Sequence, residues 1–142
     1  MSSDDKHEWS GSFAIPMTPY DGHDRIDERA LEAEIEFCVA SGVGGIVAPV
    51  MVSEFRSMSE DERRRMVKIT CDVVAGRVPV VANCAAVNTP LAVSYAEYCE
   101  KAGADAVIAM PPYTIVPDGE TIRAYYQAIS DAVSVPVWIQ NV

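Results

Sequence analysis

The chain has 142 residues, of which 49% are hydrophobic and 23% are charged, and its formal net charge at pH 7 is −10. This length and composition suit one domain with a substantial core, and the acidic balance with scattered Lys and Arg residues argues against nucleic acid as a partner. The sequence contains neither an apolar run long enough to cross a membrane nor the pattern of a signal peptide, so we expect a cytoplasmic protein without a membrane partner.

The first part of the chain combines a polar start with one strand and one helix. Residues 1–10 are mostly polar, and we interpret them as a loose tail in front of a globular part that covers residues 11–142. The apolar run "SFAIPM" predicts the first strand. Asp27 is a suitable N-cap for the following helix, which Gly42 ends. The apolar residues of this helix share one face, namely Leu31, Ile35, Cys38 and Val39.

Four more apolar runs follow at a regular spacing. Each contains several β-branched or small apolar residues in succession, without the alternation of a half-exposed strand, which is typical of strands buried on both faces. The runs are "GVGGIVAPV", "GRVPVVAN", "GADAVIAMPP" and "VSVPVWIQN". They recur about every 30 residues, the length of one strand and one helix.

The second predicted helix has clear boundary signals. Ser59 and Glu62 form a capping box at its start, and Gly76 ends it. This helix contains three consecutive arginines at 63–65. We interpret them as a solvated face of the helix.

The third and fourth helices are bounded in the same way. Thr89 is the predicted N-cap of the third helix, with Pro90 at its first position, and Gly103 ends it. The fourth helix begins at Asp118 or Thr121.

Five strands that alternate with four helices predict a parallel sheet covered by helices. Two architectures fit this order: an open doubly wound sheet and part of a closed (β/α)₈ barrel. A doubly wound sheet usually has a Gly-rich phosphate loop after its first strand, whereas the corresponding segment here is "MTPYDGHD". A complete barrel has eight strands and about 250 residues. We therefore expect an α/β fold of the TIM-barrel class, with residues 11–142 forming strands one to five.

In a barrel, reactive groups stand at the C-terminal ends of the strands. The segments at these ends contain a single carboxylate, Glu54, and neither Lys nor His. We interpret Glu54 as a first-turn or interface carboxylate. The three lysines lie on the tail and on helices, at Lys6, Lys68 and Lys101.

The four cysteines do not form a metal-binding pattern. They are far apart without a C-x-x-C pair, at Cys38, Cys71, Cys84 and Cys99. We interpret them as buried free thiols and expect no metal site.

Five segments of the chain, in this order, resemble the dihydrodipicolinate synthase and N-acetylneuraminate lyase family. They are "IPMTPYDGHDRID", "SGVGGIVAPVMVSEFRSMSEDER", "GRVPVVANCAAVNT", "EKAGADAVIAMPPY" and "VPVWIQNV". The resemblance implies a (β/α)₈ barrel, commonly a homotetramer, that uses no cofactor. It implies that a Lys on the sixth strand forms a Schiff base with a 2-oxo acid such as pyruvate, and that Lys would lie beyond Val142.

The resemblance also implies a substrate-binding loop after the second strand. The family usually has Gly-Thr-Thr-Gly-Glu there, where backbone N–H groups bind the substrate carboxylate and a Thr hydroxyl relays protons. This chain has Val-Met-Val-Ser-Glu at 50–54. Carboxylate binding by the backbone of Met51, Val52 and Ser53 therefore remains an expectation. The relay hydroxyl is lost unless Ser53 replaces it.

This chain keeps only one of three tyrosines that the family has after its fourth and fifth strands. The Tyr after the fourth strand is Tyr113, but the second Tyr of the family's pair is Thr114. The Tyr of the fifth strand, which serves as acid and base in the family, is Gln140. Gln exchanges hydrogen bonds but does not titrate, and so it can orient a hydroxyl without acting as a phenol does.

These departures are similar to the sugar-acid branch of the family, which includes 2-keto-3-deoxy-L-arabonate dehydratase. The resemblance thus favours a dehydratase over an aldolase, with Gln140 and Tyr113 as catalytic residues. An aldolase of undefined substrate remains open. A further alternative is a catalytically silent barrel fragment that binds a 2-oxo acid or serves only in assembly.

Overall fold

A computed structural model of the chain describes residues 9–114 and 116–141. Five strands alternate with four α-helices: β1 Phe13–Ala14, α1 Glu28–Ala40, β2 Gly45–Ala48, α2 Glu60–Val74, β3 Val80–Asn83, α3 Thr89–Ala102, β4 Ala106–Ala109, α4 Gly119–Ala132 and β5 Val137–Ile139. The strands form one parallel sheet in the order β1-β2-β3-β4-β5. This sequential order confirms the TIM-barrel prediction, because a doubly wound sheet reverses its strand order at a switch point.

Alternate residues of each strand face opposite sides of the sheet. On the helix side, Ile46 and Val80 pack in one core cluster beneath α1 and α2, and Val107 packs in another beneath α3. On the opposite side, which is the inner face of the curved sheet, Val47 and Val81 belong to a third cluster. Two of the three interior strands, β2 and β3, are buried along their whole length.

The inner face is closed at its N-terminal end by three aromatic rings. Trp9 lies with its ring centroid 6.4 Å from that of Phe13 and 5.7 Å from that of Trp138. Phe13 of β1 and Trp138 of β5 are themselves 5.3 Å apart, so the two outermost strands of the sheet meet across its interior. Trp9, which lies inside the segment predicted as a loose tail, therefore packs against the sheet, and residues 1–8 of that segment lie outside the described residues.

The helix caps largely follow the sequence signals. Asp27 caps α1, the capping box of Ser59 and Glu62 begins α2, and Asp118 rather than Thr121 caps α4. The predicted cap of α3 was wrong by one residue. The side chain of Asn88 accepts a hydrogen bond from the Leu91 amide at 3.0 Å, and Thr89 is already helical.

The strands differ in burial according to their place in the sheet. β5 is only partly buried, and the side chain of Ile139 is 65% exposed. The sequence predicted β5 as fully buried, but within the described part of the chain no further strand pairs with its outer edge. None of the helices in residues 9–114 and 116–141 combines the length and the apolar character that crossing a membrane requires.

Gly45 is expected to be essential for packing the first strand. A Cβ atom added at Gly45 would lie 2.2 Å from Cε1 of Phe13, and the Phe13 ring is held by the two Trp rings. We expect Gly45→Ala to lower the free energy of unfolding by about 1 to 3 kcal/mol, because the ring must leave its place. Gly22→Ala is the matched control, since an added Cβ there meets nothing within 4 Å. Equal denaturant unfolding curves for the two variants would contradict this account.

Candidate functional site

The predicted site residues follow β2, β4 and β5, and parallel pairing brings the ends of these strands to the same edge of the sheet. The segment after β2 is a single turn, residues 50–54, which we call the β2 turn. The Glu54 amide donates to the Met51 carbonyl at 3.0 Å and the Phe55 amide to the Val50 carbonyl at 3.4 Å. With Glu54 in the left-handed region at φ 59°, this pair of bonds forms a Schellman motif.

The β2 turn presents free backbone donors. Among the described residues, no acceptor takes a hydrogen bond from the amides of Met51, Val52 or Ser53. The side chains of Met51 and Val52 are 44% and 55% exposed, so this part of the turn faces outward from the core. Successive free N–H groups in a tight turn are suited to an anionic oxygen. The binding role predicted for these three residues is compatible with this geometry and stays a prediction.

Ser53 differs from its two neighbours because its side chain is completely buried. The Ser53 hydroxyl donates to the Pro16 carbonyl at 2.8 Å and accepts from the Val50 amide at 3.3 Å. Its own carbonyl accepts a hydrogen bond from Thr18 Oγ1 at 2.7 Å. The hydroxyl hydrogen is thus used within the protein, which makes Ser53 a poor replacement for the family's relay hydroxyl.

Tyr113 lies beside the β2 turn. Its ring meets the edge of Phe55 at a centroid distance of 5.9 Å and an interplanar angle of 89°. The guanidinium carbon of Arg56 lies 5.1 Å from the Tyr113 centroid. The structure therefore brings Tyr113 to the same locality as the predicted carboxylate-binding residues, and the neighbouring Thr114 is exposed.

Glu54 is the N-cap residue of the short 3₁₀ helix Phe55–Ser57, where its carbonyl accepts from the Ser57 amide at 2.8 Å, but its side chain makes no capping hydrogen bond. That side chain is exposed and borders a cleft of about 400 Å³ together with Met51, Arg56 and Ser57. The interpretation of Glu54 as a first-turn or interface carboxylate stays a prediction.

Gln140 follows β5, and its backbone N–H donates to the Ala109 carbonyl at 2.9 Å. It borders a cleft of about 630 Å³ between β5 and α4, to which Tyr126 and Ile139 also contribute. Burial raises the pKa of Tyr126 to about 12, and its hydroxyl donates to the same Ala109 carbonyl. No hydrogen bond or ring contact within the described chain joins Gln140 to Tyr113, so the structure does not bring these two predicted catalytic residues into contact.

Arg63 was missed by the sequence interpretation of residues 63–65 as a solvated face. Only 6% of Arg63 is exposed. Its guanidinium lies between two rings, 4.9 Å from the Phe55 centroid and 4.0 Å from the Tyr95 centroid, and donates to the Ala85 carbonyl at 2.8 Å. Arg65, by contrast, is exposed and pairs with Glu28 on α1. The sequence did contain a signal for this burial: Arg63 is the fourth residue of α2, and the aromatic residue Phe55 lies shortly before the helix.

The remaining candidate groups lie away from the strand ends. Cys84 and Cys99 are buried free thiols, as predicted, whereas the prediction was wrong for Cys38 and Cys71, which are free but only partly buried. Burial raises the pKa of Cys71 to about 11 and that of Cys84 to about 12. No group of three or more His, Cys, Asp or Glu side chains in residues 9–114 and 116–141 is placed to hold a metal ion. Lys68 pairs with Asp72 on α2, Lys101 lies in the last turn of α3, and Lys6 lies outside the described residues.

The buried position of Arg63 predicts a stability difference between neighbouring arginines. Arg63→Ala should lower the free energy of unfolding by roughly 2 to 5 kcal/mol, because it leaves a cavity between two rings and an unpaired carbonyl. Arg65→Ala, the matched control on the same helix, should cost less than about 1 kcal/mol, as exposed ion pairs contribute little. Chemical denaturation measures both changes, and similar losses for the two variants would refute the assigned environment.

Comparison with known proteins places these features in a family. The sequence profile of the dihydrodipicolinate synthetase family matches residues 8–142. A 4-hydroxy-tetrahydrodipicolinate synthase of Acidiphilium cryptum is 36% identical over 132 residues, which are 93% of this chain and 45% of that protein. The corresponding enzyme of Brucella abortus biovar 1 is 33% identical with the same coverage. The chain thus spans about half the length of the curated relatives it matches.

Solved structures of similar proteins also superpose on this chain over somewhat less than half of their own length. The 4-hydroxy-tetrahydrodipicolinate synthase of Methylacidiphilum fumariolicum SolV superposes with a TM-score of 0.89 at 26% identity, covering 93% of this chain and 44% of that one. YagE of E. coli K12, solved in complex with pyruvate, superposes with a TM-score of 0.88 over 93% of this chain and 45% of its own. At 24% identity, YagE shares the fold alone.

Proposed function

This chain belongs to the dihydrodipicolinate synthetase family, and we propose that the protein containing it is a lyase that acts on a 2-oxo acid through a Schiff base. The observation that carries the proposal is the β2 turn, whose three free amides lie at the C-terminal edge of the sheet and are followed by Phe55 and Arg56, the residues that contact Tyr113. In a barrel enzyme this edge is where substrates bind. A small acid with one carboxylate suits such a short row of donors.

The amides of Met51, Val52 and Ser53 bind the substrate carboxylate in this proposal. Backbone donors need no side-chain hydroxyl, so the replacement of the family's two Thr residues by Met51 and Val52 leaves this function available. The hydrogen bonds of the Schellman motif hold the turn before substrate arrives. A preformed turn reduces the entropy lost on binding.

The Schiff-base amine comes from outside the described chain in this proposal. An amine that attacks a carbonyl must stand at the active edge and be largely neutral, which burial achieves by lowering its pKa. Lys68 is exposed and held by Asp72, and Lys101 is exposed at the opposite end of α3 from its N-cap. Neither lysine meets these conditions, and we assign the amine to a Lys beyond Val142.

Trapping the imine tests this assignment. We expect the full-length protein, incubated with pyruvate and borohydride, to gain one reduced adduct at a single Lys beyond residue 142, located by peptide mass spectrometry. Pyruvate is the first probe because YagE, which shares the fold, was solved in complex with it. Residues 1–142 alone, treated identically, are the control and should gain no adduct at any specific site. Site-specific labelling of Lys6, Lys68 or Lys101 would contradict the assignment.

For the reaction type, we propose dehydration of a 2-keto-3-deoxy sugar acid rather than aldol cleavage. Carbon–carbon cleavage needs a group that takes the proton of a substrate hydroxyl and returns it, which a phenol can do and the amide of Gln140 cannot. In the elimination, water takes a proton from the carbon next to the imine to give the enamine, which then expels the β-hydroxyl as water once a donor has protonated it. In this proposal Gln140 orients the substrate, and the Tyr113 hydroxyl donates that proton and recovers one from water.

Substitution of Gln140 tests the reaction type. In the full-length protein, Gln140→Ala should lower the rate of water loss from 2-keto-3-deoxy sugar acids by about a hundredfold or more, the usual effect of removing a positioned group. Gln140→Tyr should raise condensation of pyruvate with aldehydes relative to dehydration, because it supplies a titrating phenol. Both rates are measured on each variant.

The exposed Gln127 on α4 offers a matched control for these Gln140 variants. Gln127→Ala should change neither rate. Efficient aldehyde condensation by the wild type, with every activity untouched in Gln140→Ala, would show that Gln140 is only a packed residue of the strand end.

A second candidate is a catalytically silent barrel that binds a 2-oxo acid or serves only in assembly. The engaged hydroxyl of Ser53 favours it, because the relay group of the family then has no replacement on the β2 turn. The trapping experiment separates the two candidates, since a silent barrel forms no reduced adduct. In either case we expect a homotetramer, as the family resemblance implies, and light scattering on the full-length protein measures this.

A further inference from the structure

Two hydroxyl groups tie the β2 turn to the exit of the first strand. Ser53 Oγ reaches the Pro16 carbonyl, and Thr18 Oγ1 reaches the Ser53 carbonyl, across sequence separations of 37 and 35 residues. The two bonds run in opposite directions between the same two segments. Together they fix both the side chain and the peptide group of Ser53 relative to the segment 16–18.

The burial of these groups shows that the connection is internal to the fold. Ser53 has no exposed surface and Pro16 is fully buried, whereas Met51 and Val52 in the same turn are exposed. Thr18 is half-buried, with its hydroxyl also 3.5 Å from the sulfur of Met66 on α2. Substrate that approaches the exposed amides therefore does not meet the buried Ser53 hydroxyl, and the Thr18 hydroxyl is engaged with the Ser53 carbonyl.

The turn needs such support because its closure is strained. Glu54 occupies the left-handed region, which is unfavourable for a residue other than Gly. The bond that closes the motif, from the Phe55 amide to Val50, is long at 3.4 Å. The Ser53 hydroxyl adds a bond inside the turn, because it accepts from the Val50 amide. The same hydroxyl also bonds to Pro16 in the segment that follows β1.

We propose that the hydroxyls of Thr18 and Ser53 are positioning groups that hold the amides of the β2 turn ready for a substrate carboxylate, an inference that rests on the function proposed above. Neither hydroxyl relays a proton. Their loss lets the turn open and thereby weakens substrate binding, while the reacting groups keep their places. Loss of either hydroxyl raises KM and leaves kcat unchanged, because the carboxylate is bound equally well in the ground state and the transition state.

Three variants of the full-length protein test the proposal. Thr18→Val keeps the shape and removes one bond, Ser53→Ala removes the other, and Thr18→Ser retains the Thr18 hydroxyl. We expect Thr18→Val and Ser53→Ala to raise KM for the 2-oxo acid about tenfold with kcat within about twofold, and Thr18→Ser to stay within about twofold of wild type. Ser94→Ala, on the exposed face of α3, is the matched control and should change neither constant.

Hydrogen exchange gives a second measurement that does not depend on activity. In Thr18→Val and Ser53→Ala, the amides of Glu54 and Phe55, which close the turn, should exchange about tenfold faster than in wild type. Unchanged exchange or unchanged KM in both variants would overturn the proposal. A fall in kcat at constant KM for Ser53→Ala would overturn it in favour of a relay role.

Failure of the proposed lyase function can be distinguished from failure of the positioning role. A wild-type protein that binds no 2-oxo acid and forms no reduced adduct would refute the proposed lyase and, with it, the carboxylate role of the turn. The exchange rates of Glu54 and Phe55 would still show whether the two hydroxyls hold the turn. If the wild type does form the adduct, a raised KM in the variants supports the proposed role of the two hydroxyls, and an unchanged KM overturns that role alone.

Discussion

Within residues 9–114 and 116–141, no helix contributes to the apolar cluster on the inner face of this parallel sheet, so the side chains there must bury one another. Curvature of the sheet satisfies this requirement by bringing the rings of Phe13 and Trp138 within 5.3 Å, although their strands are the first and last of five. Trp9 covers the pair from the N-terminal side. Gly45 leaves room for the Phe13 ring on the adjacent strand. Parallel pairing places the C-terminal ends of the strands at one edge of the sheet, where the candidate site lies.

The candidate site depends on an aromatic and cationic stack behind it. Arg63 lies between Tyr95 and Phe55, and Phe55 in turn supports the ring of Tyr113. A buried guanidinium is costly without partners, and here two ring faces and one carbonyl provide them. Because Phe55 also ends the β2 turn, the same stack connects the proposed carboxylate-binding amides with Tyr113. The two parts of the site are therefore held by one set of contacts.

Local signals were sufficient for most of the architecture. Asp27 and the pair of Ser59 with Glu62 cap their helices as predicted, since a cap depends only on residues within one turn. The strands were found because a strand buried on both faces needs an uninterrupted apolar run. The error at the start of α3 has the same local origin. Asn88 and Thr89 are both good caps, and the backbone choice between them is decided by the loop that precedes the helix.

The sequence by itself determined the order of strands and helices and the parallel sheet, because each depends on patterns that repeat along the chain. It also determined the family, because five segments occur in the family's order. Only the tertiary structure decided which polar groups are buried. Arg63 and Ser53 look like surface residues in the sequence, yet residues more than twenty positions away enclose them and accept their hydrogen bonds. Burial of a polar side chain depends on such distant partners, and no local pattern records where the fold will bring them.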